Sequence, residues 1–402
     1  MINVIGLGYI GLPTALMLAA HGEKVVGTDC KKAVVDTLTE GKTTFKEKGL
    51  DELFGDAKKH GIVFSTEYQV ADIYIISVPT PYEKESRKVD PGFVVSAARS
   101  VMAVAPAGAT VIVESTVSPG TMDEYVRPLL KEIKRTDIHL AHAPERIIPG
   151  NMLFELLHNN RTIGADDEET GERVKAIYAT FCQGEIVVTD IKTAEMTKVV
   201  ENTFRAVNIA FANELARICR QDHLDVYEII RICNMHPRVN ILQPGPGVGG
   251  HCIPVDPWFL VGAYPGWTGL IEEALTINDS QPGYILKRIH EIMDEKGFYD
   301  TSRVGIYGLT YKENVDDLRE SPSLHLLKEQ PDPVNGFKVY DPYILKDVAD
   351  NQFHNLDEFL DAVDMVVIMV KHNEIKENAD KLSGKIVLDC QNAVALPEAY
   401  HI

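Results

Sequence analysis

The strongest constraint on the fold lies at the start of the chain, where the short apolar run Ile2–Ile5 leads into Gly6-Leu7-Gly8-Tyr9-Ile10-Gly11 and then into an apolar stretch from Pro13 to Ala20. Glycines at this spacing, between a strand and a helix, permit a tight turn, close approach of a ligand to the main chain and close helix–strand contact. A helix start also offers unpaired N–H groups and the positive end of its dipole, which suits a phosphate. The motif alone is weak evidence. Here, however, Asp29 follows Gly11 by 18 residues and ends the next expected strand, Lys24–Thr28, where an acid can bond ribose hydroxyls. A carboxylate there repels a 2′-phosphate, so the motif predicts NAD rather than NADP. The first 20 residues carry no charge and imitate a secretory leader, but they lack a basic start and contain three glycines and a proline. They read as a buried strand, a turn and a buried helix.

Further short apolar runs at Ile73–Val78, Thr110–Glu114 and Ile138–Ala141 alternate with helical or polar sequence, which predicts a parallel sheet covered on both faces up to about residue 190. Ser77-Val78-Pro79-Thr80-Pro81 closes one of these strands and is either a ligand-contacting end or a proline-rich surface turn. From Lys192 to Arg220 there is no Gly or Pro, and apolar residues recur at helical intervals through Val199, Val200, Phe204, Val207, Phe211 and Leu215. A helix of that length spans about 40 Å at 1.5 Å per residue. It is suited to joining two domains and to contacting a second subunit. Gln243 to Gly250, rich in Gly and Pro, must be an irregular loop. A second α/β pattern begins near Ser302, with runs at Val304–Tyr307, Lys338–Tyr340, Met365–Val370 and Ile386–Leu388 but no second glycine motif. The expected fold is α/β, with two Rossmann-like doubly wound domains joined by a long central helix. No repeat of 20–50 residues is visible.

A chain of 402 residues exceeds one ordinary core. Its formal net charge of −19 argues against a nucleic-acid or anionic-membrane partner, but not against a phosphate held locally. The six cysteines show no C-x-x-C spacing, and no metal-ligand pattern surrounds His139 and His142, so a reduced, cytoplasmic chain without a metal site is expected.

Three segments hold candidate chemistry. Gly249-Gly250-His251-Cys252-Ile253-Pro254-Val255-Asp256 leads glycines into a cysteine, which lets main-chain amides crowd around a small reactive group. An Asp four residues later returns to the same face if a helix starts there. Cys252 could also be a small buried hydrophobe, the reading that fits Cys30, Cys182, Cys219, Cys233 and Cys390. Lys198 and Asn202 are four apart on the long helix, with Arg205 beside them, and spacing leaves a catalytic face and a solvated polar stripe equally open. Glu145 and Arg146 follow Ala143-Pro144 just beyond a strand; by itself Glu145 reads as a surface charge.

Taken together, these segments resemble the UDP-glucose/GDP-mannose dehydrogenase family along essentially the whole chain. The resemblance rests on Glu201-Asn202-Thr203-Phe204-Arg205-Ala206-Val207-Asn208, extending to Leu215, and on His236 to Cys252, running on to Asp256-Pro257-Trp258-Phe259. It implies an NAD-dependent, four-electron oxidation of the C6 alcohol of a UDP-sugar. The bacterial and archaeal members acting on UDP-N-acetyl-D-mannosamine are the most similar, with UDP-N-acetylglucosamine and UDP-glucose as alternatives. Val255 stands where glucose enzymes usually carry Lys. By the resemblance, Cys252 captures the aldehyde as a thiohemiacetal that becomes a thioester. Lys198 and Asn202 stabilise the oxyanion, Asp256 assists proton removal through a water, Glu145 serves thioester hydrolysis, and Thr116 holds water beside the cofactor. The cofactor set is Gly6, Gly8, Tyr9, Ile10, Gly11, Asp29, Pro79, Thr80, Thr116 and Arg319. The substrate set is Glu145, Arg146, Lys198, Asn202, Arg205, Arg238, Asn240, Gly249 and Lys312, with Arg238 reaching in from a neighbouring subunit.

The implied parts are an NAD-binding domain at 1–191, a central helical dimerisation domain at 192–297 and a UDP-sugar-binding domain at 298–402, working as a homodimer or higher homo-oligomer. The product is a uronate for a surface polysaccharide. Two departures stand out: Gln391 replaces an Arg found in many relatives, and Thr43–Leu50 lacks a common proline. A two-electron hydroxyacid dehydrogenase would leave Cys252 and the third domain without a task. A non-catalytic binding protein would be expected to have lost one of Cys252, Lys198, Asn202, Asp256 and Glu145, all of which are present.

Overall fold

Alternation with a period of two along the first strands explains the first half of the molecule. The computed structural model describes residues 1–83, 88–330 and 336–402. It forms two compact units, residues 1–201 with 258–265 and residues 202–257 with 266–402. In the first unit the main strands are β1 (Ile2–Ile5), β2 (Val25–Thr28), β3 (Val63–Ser65), β4 (Ile73–Ile76), β5 (Thr110–Val113), β6 (His139–His142), β7 (Arg161–Ala165) and β8 (Ile186–Thr189). Among the described residues they form one sheet in the order β8-β7-β6-β5-β4-β1-β2-β3. Ile2, Val4, Ile73, Ile75 and Ile112 turn to one face, where Leu12, Ala15, Leu16 and Ala19 of helix Gly11–Ala20 cover them. Ile5, Tyr74, Ile76, Val111 and Val113 turn to the other, under Val94, Ala98, Val101 and Met102 of helix Gly92–Val104. Each fully buried Val, Leu, Ile or Met among them stabilises the fold by about 1.5–3 kcal/mol.

The order β3-β2-β1-β4-β5-β6 is that of the doubly wound dinucleotide fold, with its switch point between β1 and β4. The expected parallel sheet needs one correction. The pair β6–β7 is antiparallel and β7–β8 is parallel, so the last two strands run against the other six. Reversal at an edge leaves the crossovers of the inner strands undisturbed.

The second unit contains β9 (Val304–Tyr307), β10 (Lys338–Tyr340), β11 (Gln352–Phe353), β12 (Met365–Ile368), β13 (Ile386–Asp389) and β14 (Tyr400–His401), in the order β11-β10-β9-β12-β13-β14. All of these neighbours are parallel. This is the order of the first unit again, and local geometry repeats with it. Gly6 and Gly308 both follow the first strand with positive φ, +88° and +92°. Gly6 N donates to Thr28 O and Gly308 N to Tyr340 O, each at 2.8 Å. Leu7 N donates to Asp29 Oδ2 at 2.9 Å, and Leu309 N to Asp341 Oδ2 at 2.7 Å.

The two acids differ in what surrounds them. Asp341 is buried and also meets Thr310 N at 3.1 Å and His372 Nε2 at 3.2 Å. Burial works against its charge, yet His372 and the amides of Tyr343 and Leu309 hold Asp341 below the ordinary carboxylate range. Buried and engaged by four protein partners, Asp341 is far less open to a ribose than the half-buried Asp29.

The central helix is continuous from Ile191 to Gln221, about 46 Å at 1.5 Å per residue. Its buried face is lined by Ala194, Glu195, Lys198, Val199, Asn202, Ala206, Ala210, Asn213 and Ala216. The larger apolar side chains Val200, Phe204, Phe211 and Ile218 are exposed. No helix among the described residues is long and apolar enough to cross a membrane.

Candidate active site

The three motif glycines are required for different reasons. A Cβ on Gly6 would lie 2.5 Å from Ser77 O, and one on Gly11 would lie 1.9 Å from Gly6 O. Gly8 is exposed, and a Cβ there would meet nothing within 4 Å. The protein itself does not require a small residue at that position, but a phosphate approaching the main chain does. The loop leads directly into helix Gly11–Ala20, whose first turn holds no acidic side chain. Tyr9 is exposed and its ring lies 4.5 Å from that of Phe45, while Ile10 is half-buried. Asp29 ends β2, its Oδ2 accepting from Leu7 N and its Oδ1 from Lys31 N at 2.8 Å. These residues fit NAD: an open glycine, a helix N-terminus and a ribose-side carboxylate.

The carboxyl ends of β4, β5 and β6 carry the next groups. Ser115 Oγ donates to Val78 O at 2.7 Å, which ties the segment bearing Thr116 to the one bearing Pro79 and the buried Thr80. The far end of the Thr116 loop is fastened by Glu195, whose Oε2 and Oε1 accept from Gly120 N at 2.6 Å and Met122 N at 2.8 Å. Burial pushes Glu195 up to about 7 despite those bonds. Glu195 and Lys198 share one helix turn, and Lys198 is buried at 5% exposure. Glu195 therefore registers the Thr116 loop against the Lys198 helix, a role no sequence motif announced.

Glu145 is no surface charge. It is buried, its Oε1 accepts from the amides of Arg146 and Ile147, and Arg161 from β7 pairs with its other oxygen. Arg146 donates to Glu201 at 2.7 Å, to Asn160 O at 2.6 Å and to Thr162 Oγ1 at 3.0 Å, so it already secures this edge of the sheet.

In the second unit the loop before Cys252 is bolted down by amides. Asn208 Oδ1 accepts from Leu242 N at 2.8 Å and Asn213 Oδ1 from Gly245 N at 2.9 Å, while Gln281 Nε2 donates to Gly245 O at 2.8 Å. A Cβ on Gly249 would lie 2.5 Å from Tyr311 Cβ and 2.7 Å from Glu320 O, so only glycine lets the loop approach this segment. Cys252 is half-buried, and its carbonyl accepts from Asp256 N at 2.8 Å. A helix does start at Asp256, running to Ala263. Asp256 is buried and accepts from Asn202 Nδ2 at 2.6 Å, which joins two of the expected site residues directly. Burial, with the charges of Asp317 and Cys252 among its neighbours, raises the Tyr311 phenol to about 12. Burial and the Arg319 guanidinium lower the His251 imidazole.

Other expected residues are more open. Arg205, Arg238 and Asn240 are exposed, and Lys312 is half-buried. Arg319 grips Asp317 through Nε and Nη2, at 3.0 and 2.6 Å. Gln391 lines a groove of ≈ 350 Å³ with Lys371, Arg231, Gln243 and Tyr227. Between the two units, Thr116, Glu145 and Lys198 belong to the first, and Asn202, Cys252 and Asp256 to the second.

Comparison with known proteins identifies the family. The models of the UDP-glucose/GDP-mannose dehydrogenase family match in three pieces: the NAD binding domain at residues 1–182, the central domain at 192–280 and the UDP binding domain at 305–395. The chain is 42% identical to the UDP-N-acetyl-D-mannosamine dehydrogenase of Methanocaldococcus jannaschii, covering 97% of this chain and 92% of that one. It is 40% identical to the NDP-N-acetyl-D-galactosaminuronic acid dehydrogenase of Ralstonia nicotianae, covering 96% and 95%. The solved structure of the UDP-D-ManNAc dehydrogenase from Pyrococcus horikoshii superposes with a TM-score of 0.92 at 34% identity, over 100% of this chain and 99% of the other. With NAD as its cofactor, the chain belongs to the UDP-glucose/GDP-mannose dehydrogenase family and is a UDP-sugar dehydrogenase.

Proposed function

We propose that the chain oxidises the C6 alcohol of UDP-N-acetyl-D-mannosamine to the uronate in two steps, with Cys252 holding the intermediate. The observation that carries the covalent part is the setting of Cys252: half-buried at the mouth of a helix whose first residue, Asp256, bonds Asn202. The substrate rests on the UDP-N-acetyl-D-mannosamine dehydrogenases that the chain matches almost end to end. When bound, NAD accepts a hydride in each oxidation. Asp256, through a water, takes the alcohol proton. The Cys252 thiolate adds to the aldehyde carbon, and Lys198 and Asn202 balance the charge that develops on its oxygen. Covalent capture keeps the aldehyde from escaping between the two oxidations. After the second oxidation the thioester carbonyl takes up water, assisted by Glu145 and Thr116; the C–S bond breaks, releasing carboxylate and thiol.

On this reading residues 1–191 hold NAD through Gly6, Gly8, Tyr9, Ile10, Gly11, Asp29, Pro79, Thr80 and Thr116, residues 192–297 supply the thiol and the dimer contact, and residues 298–402 hold the UDP portion. Lys312 and Gly249 face the nucleotide sugar with Arg146, Arg205 and Asn240, and Arg319 serves the cofactor pyrophosphate. Lys371 and Arg231, in the groove lined by Gln391, are cations that can serve where relatives carry Arg. The test is NADH counted per sugar with limiting UDP-N-acetyl-D-mannosamine and excess NAD. Two NADH per sugar and a uronate product are expected. One NADH per sugar would overturn the covalent route. Turnover of UDP-N-acetylgalactosamine, which the Ralstonia relative's name brings into play, in preference to the manno sugar would correct the substrate alone.

The working unit on this reading is a homodimer, in which Arg238 reaches the partner's substrate. Its support is the exposed apolar line Phe204, Phe211 and Ile218, seven residues apart on one helix face, with Val200 at its start. That is the spacing with which one helix seats on another. Phe211→Asp is expected to halve the mass measured by light scattering, and an unchanged mass would remove this helix from the interface.

A further inference from the structure

Arg161 opens β7 and is 4% exposed, so its charge needs an answer within the first unit. An unpaired guanidinium at that depth costs several kcal/mol. Two carboxylates answer it. Arg161 pairs with Glu145, and its Nη1 lies 3.8 Å from Glu114 Oε1. The guanidinium carbon also stands 4.3 Å from the ring centroid of Tyr178 and 5.5 Å from that of Phe181. Glu114, at the carboxyl end of β5, is 1% exposed. It accepts from Ser77 Oγ at 2.6 Å, Tyr178 OH at 3.1 Å and Thr14 Oγ1 at 3.4 Å. One buried cation thus serves two buried acids, one of which the mechanism uses and the other it does not.

We propose that Arg161 is a positioning residue that holds Glu145 in place for thioester hydrolysis, and that Glu114 governs how fully Arg161 does so. The inference rests on the reading of Glu145 as the hydrolytic carboxylate. The groups facing Glu114 come from five elements: Thr14 on helix Gly11–Ala20, Ser77 after β4, Glu145 after β6, Arg161 on β7 and Tyr178 ending helix Glu168–Tyr178. Only Arg161 and Glu145 among them are charged. Burial pushes Glu114 up to about 7, against the pull of Arg161. Below that pH Glu114 carries a proton, and the guanidinium answers Glu145 alone. Above it Glu114 is a second anion competing for the same cation, the hold on Glu145 slackens and hydrolysis slows.

The experiment compares wild type with Arg161→Lys, Glu114→Gln and Glu145→Gln, using UDP-N-acetyl-D-mannosamine and NAD across about pH 6 to 9. Lysine keeps the charge but loses the planar fork. Arg161→Lys is expected to lower kcat about 10- to 100-fold at unchanged KM, the scale of a misplaced catalytic group. Acid-quenched protein should then carry the sugar as a mass adduct on Cys252. In the wild type kcat is expected to fall above about pH 7, and Glu114→Gln should lack that fall. Lost turnover without the adduct, or an unchanged alkaline limb in Glu114→Gln, overturns the proposal. Normal uronate release by Glu145→Gln would instead refute the hydrolytic reading of Glu145. A measurement without substrate separates the two. The infrared carboxyl band of the free protein should titrate near neutral pH, vanish in Glu114→Gln and titrate higher in Arg161→Gln, where the cation is gone. A wild-type protein without that band overturns the proposal whatever sugar it oxidises. If Arg161→Gln fails to fold, the band in Arg161→Lys and the kinetics of that variant still decide.

Discussion

Replacing Cys252 with alanine stops release of the uronate, with turnover falling on the order of 10⁴- to 10⁶-fold, the scale seen when a covalent nucleophile is removed. The loss is chemical rather than structural. The loop before Cys252 is held through Asn208, Asn213 and Gln281, and its approach to Tyr311 depends on Gly249, so deleting one half-buried sulfur leaves every anchor in place. The melting temperature should therefore stay within about 2 °C of the wild type, since a change under 1 kcal/mol moves it no further in a chain of this size. Cys252→Ser retains an oxygen nucleophile but at a far higher pKa, and its turnover should also fall by several powers of ten. Product chromatography beside NADH absorbance reads both effects. Uronate released by Cys252→Ala at the wild-type rate would leave the Cys252 loop as a purely structural feature and return the chemistry to a simple alcohol oxidation.

What could be read in advance follows from how far apart in sequence the cooperating residues lie. The glycine loop, Asp29 and the long helix depend on spacing within about 30 residues, and each was legible because strand, turn and helix periods leave local marks. The four-residue spacing of Cys252 and Asp256 was legible too, but the helix start that gives it meaning was only a condition until the structure supplied it. Glu114, Arg161 and Glu195 left no such mark. Their partners lie 37 to 100 residues away for Glu114, 16 and 47 for Arg161 and 73 to 75 for Glu195, and an isolated Glu or Arg at a strand end reads as solvated. Reversal of β7 and β8 is likewise a matter of connection, because residue alternation is the same in either direction. The central helix shows a subtler limit. Periodicity marked Phe204 and Phe211 as a face, but could not say that the alanines would be inside and the phenylalanines outside. The second Rossmann-like unit was legible from its apolar runs beyond Ser302, but the match of Gly308 and Asp341 to Gly6 and Asp29 was not, because the intervening glycines that would have announced it are missing.

Gly11→Ala and Gly8→Ala, two substitutions three residues apart, should fail in opposite ways. A methyl on Gly11 would sit 1.9 Å from Gly6 O and 3.0 Å from Ser77 Cβ. The first is a backbone atom fixed by the bond from Gly6 N to Thr28 O, and the second is held by Ser77 N bonding Ile5 O, so neither can yield without disturbing β1 or β4. Overpacking against a rigid main chain costs about 3 kcal/mol, the upper end of its usual range. At about 2–4 °C per kcal/mol, Gly11→Ala should lower the melting temperature by about 6–12 °C. NAD affinity should fall with it, because the helix start that faces the pyrophosphate is displaced. Gly8→Ala adds a methyl that meets nothing within 4 Å, at an exposed position, so the melting temperature should hold. If the backbone at Gly8 is where the pyrophosphate approaches, that harmless methyl still stands in its way, and NAD binding measured by calorimetry should weaken by about tenfold or more. Equal affinity in Gly8→Ala and wild type would move the pyrophosphate off this loop. A stable Gly11→Ala would show that the turn can open, and with it the helix start on which the cofactor reading depends.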